Sequence, residues 1–160
     1  MATKTGKYLD NLKVNKAKLS RISGISTNRI NAISNNEDAK PYADELYVII
    51  YVANQQAGLG EENFQKAIDE IFPNRLTINL LAEFKDLSPE GRFFKKYTQK
   101  QNEIEEKLRI TKGKISKYFS DRKKRALATE IIAFADGMNL DILTVFKEIY
   151  GEININTSEK

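Results

Sequence analysis

The chain has 160 residues, 41% of them apolar and 30% charged, which is enough for a core and a solvated surface in one ordinary domain or two small ones. It contains no Cys and no His, which excludes disulfides, thiolate chemistry, the commonest zinc ligand and every histidine-dependent catalytic arrangement. The net charge of +4 conceals an alternation, +5 over residues 1–40, −5 over 41–87, +8 over 88–125 and −4 over 126–160, so a basic front followed by an acidic rear occurs twice and orients the chain toward a polyanion.

The first residues, MATKTGKYLDNLKVNK, lack an apolar stretch of signal-peptide length. The longest apolar run, Leu46–Ala53, is too short to span a bilayer, so a soluble cytoplasmic protein with no membrane partner is expected. A first helix is expected from Thr5 to Lys13 and a second from Lys16 to Ser23. A tight turn at Gly24-Ile25-Ser26 follows, then a third helix over Thr27–Ser34 with Ser26 as its N-cap. The polar loop NNEDAKP leads into a fourth helix in ADELYVIIYVA, the strongest apolar signal, and a fifth lies near Glu61–Ile71. The link from Pro73 to Gly91 has no Gly/Ser tract, and Leu76, Leu80, Leu81 and Phe84 recur at helical spacing, which predicts an extra helix packed on its neighbours.

Beyond the link the order repeats. Ser88 is placed to cap a helix over Pro89–Thr98, with proline and an acid in its first turn. Then come Gln101–Leu108, a turn at Arg109-Ile110-Thr111 with Thr111 as N-cap, and a helix over Lys112–Phe119. The loop SDRKKR, the apolar segment ALATEIIAFADGM and a last helix over Asp141–Tyr150 complete the series, and the tail after Gly151 is expected to fray. Sliding the sequence by 85 residues sets Gly6 on Gly91, Leu19 on Ile104, Ile25 on Ile110, Ile30 on Ile115 and Ile33 on Tyr118. Four segments result: 1–73, a linking 74–87, 88–152 and a flexible 153–160. Tyr8, Phe93, Phe94, Tyr118, Phe119 and Phe134 are read as core or interface aromatics.

Two short helices can cross steeply only when the turn is small and aliphatic residues fill the corner. Leu19, Ile25, Ile30 and Ile33 fill it in the first copy, with Gly24 free to take the left-handed conformation. The stretches LSRISGISTNRINAI and IEEKLRITKGKISKYF that carry this spacing resemble the phage-repressor, or xenobiotic-response-element, family of helix-turn-helix proteins. The likeness covers about 60 to 65 residues twice, and it implies an all-α chain of two tandem five-helix lambda-repressor-like domains joined by a helical link. The second copy departs from the family pattern in having Arg109 where Gly is usual, and Glu105 where a small residue is usual and from which a carboxylate is expected to snorkel out or open the corner.

In that family the third helix enters the major groove of DNA, so the resemblance assigns DNA contacts to Lys16, Thr27, Asn28, Arg29 and Asn31 in the first copy. In the second it assigns them to Gln101, Lys112, Gly113, Lys114, Ser116 and Lys117, followed by the loop residues Arg122, Lys123, Lys124 and Arg125. Arg29 is suited to guanine and Asn28 or Asn31 to adenine, whereas lysines suit phosphates. The function implied is sequence-specific binding of double-stranded DNA by a repressor-like transcriptional regulator on the nucleoid, as a monomer or homodimer, without catalysis, metal or cofactor. The alternative is a protein-binding module, an antitoxin or adaptor, whose partner is a toxin or regulator.

Overall fold

The computed structural model describes residues 2–75, 79–80, 86–121 and 123–153, without the side chains of residues 92 and 95–98. These residues form ten helices and no strand: α1 Lys4–Asn11, α2 Lys16–Ser23, α3 Thr27–Asn35, α4 Ala43–Gln56, α5 Asn63–Ile71, α6 Pro89–Thr98, α7 Gln101–Leu108, α8 Lys114–Ser120, α9 Ala128–Gly137 and α10 Ile142–Tyr150. None of them is long and apolar enough to cross a membrane.

Half of these helices begin where a side-chain oxygen accepts an orphan backbone N–H. Thr3 accepts from Gly6, Asn15 from Lys18, Ser26 from Arg29, Ser88 from Gly91 and Asp141 from Thr144. The N-caps of α4 and α9 are Tyr42 and Leu127, which offer no such acceptor. There the acid three residues on reaches back instead: Glu45 accepts from the Tyr42 N–H at 3.0 Å and Glu130 from the Leu127 N–H at 2.9 Å.

The larger apolar core runs through both halves of the chain. Leu46, Ile49, Ile50 and Val52 of α4 and Phe64 and Ile68 of α5 are buried in one cluster with Ile132 of α9 and Phe146 of α10. Tyr47 stacks on Phe146 at 5.5 Å and meets Phe64 edge-on at 6.1 Å. A smaller cluster joins Leu80, Leu108 and Met138, and the Leu80 N–H donates to the Gly137 carbonyl at 2.8 Å. Leu80 thus docks the link on the second half, while Leu76, Leu81 and Phe84 lie outside the described residues. The halves also meet through the backbone: the Ala43 N–H donates to the Ala126 carbonyl at 2.8 Å and the Ala128 N–H to the Pro41 carbonyl at 3.1 Å, flanking an antiparallel bridge between Tyr42 and Leu127. Exchanging each of these residues for the one 85 positions away turns either hydrogen bond into the other.

In one place the repeat breaks. A Cβ added to Gly6 would lie 2.1 Å from the Ser34 carbonyl oxygen, so α1 and α3 touch backbone to backbone. The Thr3 N–H (2.8 Å) and hydroxyl (2.7 Å) fasten the same crossing through the carbonyls of Ser34 and Ile33. In the second half Phe119 stands where Ser34 does, and the nearest atoms to a Cβ on Gly91 belong only to Leu87 and Ser88. The expectation that all six aromatics are internal is corrected accordingly. Tyr8 is 4% exposed, but Phe93, Phe94 and Phe119 are 54%, 65% and 79% exposed. The space that holds a serine under α1 is too tight for a phenyl ring, which has to turn out to solvent. Gly6→Ala should therefore lower stability by about 2 kcal/mol or more, because backbone must move. Gly91→Ala should stay within about 1 kcal/mol of neutral, and chemical denaturation of the two variants checks the contrast.

Candidate nucleic-acid interface

The first corner closes as its sequence requires. Leu19, Ile30 and Ile33 are buried where α2 meets α3, Gly24 takes φ +78° at the end of α2, and the Ser20 hydroxyl donates to the Ile25 carbonyl at 2.6 Å. With the apolar side of α3 used this way, Thr27, Asn28 and Asn31 are left exposed to solvent. Lys16 is partly buried at the first position of α2.

Arg29 does something else. Its Nε donates to Glu45 Oε2 at 2.8 Å, and its Nη2 donates to Glu45 Oε1 at 2.8 Å and to the Lys40 carbonyl at 3.1 Å. Three of the five guanidinium N–H groups, on Nε and Nη2, are thus taken up by a carboxylate and a carbonyl of its own chain. Arg29, which the resemblance assigns to bases, fastens α3 to the start of α4. Burial pulls the Glu45 carboxyl upward, but the Arg29 hydrogen bonds, the Tyr42 N–H and the nearby Arg29 and Arg125 charges outweigh it and hold the group below its usual range.

The second corner repeats the clamp with other residues. Lys114, 85 positions after Arg29, lies 2.7 Å from Glu130, 85 positions after Glu45. The Tyr118 hydroxyl donates to the same carboxylate at 2.8 Å, and burial together with that acceptor drives the phenol upward. Lys114 therefore belongs with Arg29 rather than with the free lysines.

Two expectations about this corner change. Thr111 is not the N-cap of α8; its carbonyl accepts from Lys114 at 3.0 Å, and the helix starts at Lys114 behind Gly113, which adopts φ +84°. Lys112 and Gly113 thus sit in the turn. The reason is Glu105, which neither snorkels out nor opens the corner. It is only 3% exposed, with Oε1 accepting from the Gly113 N–H at 3.0 Å and Oε2 from the Ile115 N–H at 2.8 Å. A carboxylate from α7 does the capping that Thr111 was expected to do, at the positive end of the helix. Arg109, at φ +59°, takes the left-handed turn that Gly24 takes in the first copy.

The hydrogen bonds from Gly113 and then Ile115 lower the Glu105 carboxyl below its ordinary 4.5. Because the folded value is depressed, its contribution is complete at neutral pH, declines as pH falls past 4.5 and is lost once pH drops through the folded value. Amide protection factors at Gly113 and Ile115 should fall in that window. Glu105→Gln, which cannot titrate, should show no such step.

Of the remaining candidates, Gln101, Lys112, Ser116, Lys117, Lys123 and Lys124 are exposed, and Arg122 lies outside the described residues. Arg125 sits 4.2 Å over the Tyr42 ring and 2.8 Å from Asp44, so it joins the two halves. Sequence reasoning missed Glu45 and Glu130. Their signal was the acid three residues after a helix start, the capping spacing. Searches against family models, curated proteins and solved structures give no match to this chain.

Proposed function

We propose that the protein is a sequence-specific double-stranded DNA-binding protein, a transcriptional regulator of repressor type, made of two tandem five-helix units of the phage-repressor kind. The observation that carries this reading is a pair of helix-turn-helix corners, each with polar or basic residues exposed at the start of its second helix and each braced from behind by a cation–carboxylate clamp. The reciprocal backbone bonds at Tyr42 and Leu127 support it further. They pair equivalent positions of the two halves reciprocally, as a local two-fold does, and two half-sites on a duplex are related in the same way.

With Arg29 committed elsewhere, base reading in the first unit falls to Asn28, Asn31 and Thr27. An amide can make a bidentate pair with adenine. Lys112 and Lys117 supply phosphate contacts in the second unit. Selection from random duplexes at low salt tests the reading: an enriched motif containing adenine is expected, and Asn28→Ala/Asn31→Ala should lose roughly 1 to 3 kcal/mol on it while keeping its affinity for random DNA. A second reading, a protein-binding module for a toxin or regulator, is favoured by the exposed Phe93, Phe94 and Phe119. It gains if no duplex is retained even at low salt.

A further inference from the structure

A cleft of about 620 Å³ lies between the two halves, a size typical of small-molecule sites. Among the described residues its walls come from α3, the segment after α5, the turn after α7 and α9, where Ile33, Phe72, Leu108, Ile110, Ile132 and Ala133 make them largely apolar. The charges around it divide into two sets. Arg75 is held by Asp69 at 2.8 Å and Asp136 at 2.7 Å, and Glu130 is held by Lys114. Lys4, Lys40, Arg109 and Glu37 are exposed, and none of their side chains enters a described hydrogen bond or ion pair. Three cations and one carboxylate thus line the same apolar hollow with no described side-chain partner.

We propose that this cleft binds a small organic anion with an apolar body, a medium-chain or aromatic acid. The walls take the body, which the hydrophobic effect drives out of water, and Lys4, Lys40 and Arg109 hold the acid group at the rim with charge-assisted hydrogen bonds. Nothing in this assignment depends on DNA being the macromolecular partner.

The test titrates 1-anilinonaphthalene-8-sulfonate, an apolar aromatic anion, into the full chain and follows its fluorescence. Saturation at one equivalent is expected, with displacement by decanoate but not by decan-1-ol at the same concentration. Ala133→Phe, which fills the wall, should weaken the dye by at least about tenfold. Lys40→Glu, at an exposed loop position that leaves the core untouched, should weaken it by about fivefold. Circular dichroism melts confirm that both variants fold. A Phe93→Ser/Phe94→Ser/Phe119→Ser variant should bind the dye unchanged. Dye binding that survives Ala133→Phe and Lys40→Glu, that disappears with the exposed phenylalanines, or that yields equally to decan-1-ol overturns the proposal.

Discussion

Replacing Glu45 by Ala should destabilise the protein by about 2 to 4 kcal/mol, more than any other single polar change in the first half. Two losses coincide. Arg29, whose side chain is only 30% exposed, is left with its charge unmatched, and the Tyr42 N–H at the start of α4 loses its acceptor. For a chain of this size the melting temperature should drop by roughly 5 to 12 °C. A double-mutant cycle separates the causes. Arg29→Leu/Glu45→Leu should lose less than Glu45→Leu alone, because no unpaired charge remains inside. A loss below about 1 kcal/mol, the size of an ordinary surface pair, would show that the clamp is not what holds α3 to α4.

Duplex binding should depend steeply on salt. With ~6 to 8 phosphates met by the two basic faces, the log–log slope should be about −5 to −7, so affinity falls on the order of 10³- to 10⁴-fold between 50 and 200 mM salt. Lys112→Ala/Lys117→Ala should weaken all sequences alike and make the slope shallower by about 2. Arg29→Ala, by contrast, should show itself in the melting curve, with a slope close to that of the parent chain. A flat salt response counts against DNA as the partner, and a change of base preference in the lysine variant would move the reading role to the second unit.

The helices were largely legible because their starts are written in local chemistry. Ser26, Ser88 and Asp141 each cap the helix that follows them, and Gly24 ends α2 at the position its permissive backbone suggested. What stayed hidden was long-range partnership. Arg29 on the outer face of a third helix has the chemistry of a base reader; only the fold reveals that a carboxylate 16 residues away has already taken it. Glu105 stood out as an acid in a corner that wants a small residue, yet the spacing could not say that two backbone N–H groups would be waiting for it. Phe93 and Phe94 lie where Tyr8 and Leu9 are buried, and periodicity reads both pairs alike. The difference arises across the corner, in the exchange of Ser34 for Phe119.

The reciprocal bonds among Pro41, Ala43, Ala126 and Ala128 join positions that a homodimer of single units would have to bring together from two molecules. Here both come from one polypeptide, so this contact does not dissociate on dilution. On the proposed reading as a DNA-binding regulator, a paired operator would then fill with the first power of protein concentration, and the response to changing expression would be graded, without the threshold that assembly from separate subunits imposes. Two copies in one chain are also free to differ: the first exposes Asn28 and Asn31 on α3 and the second Lys112 and Lys117 around the start of α8, a division that identical subunits could never adopt.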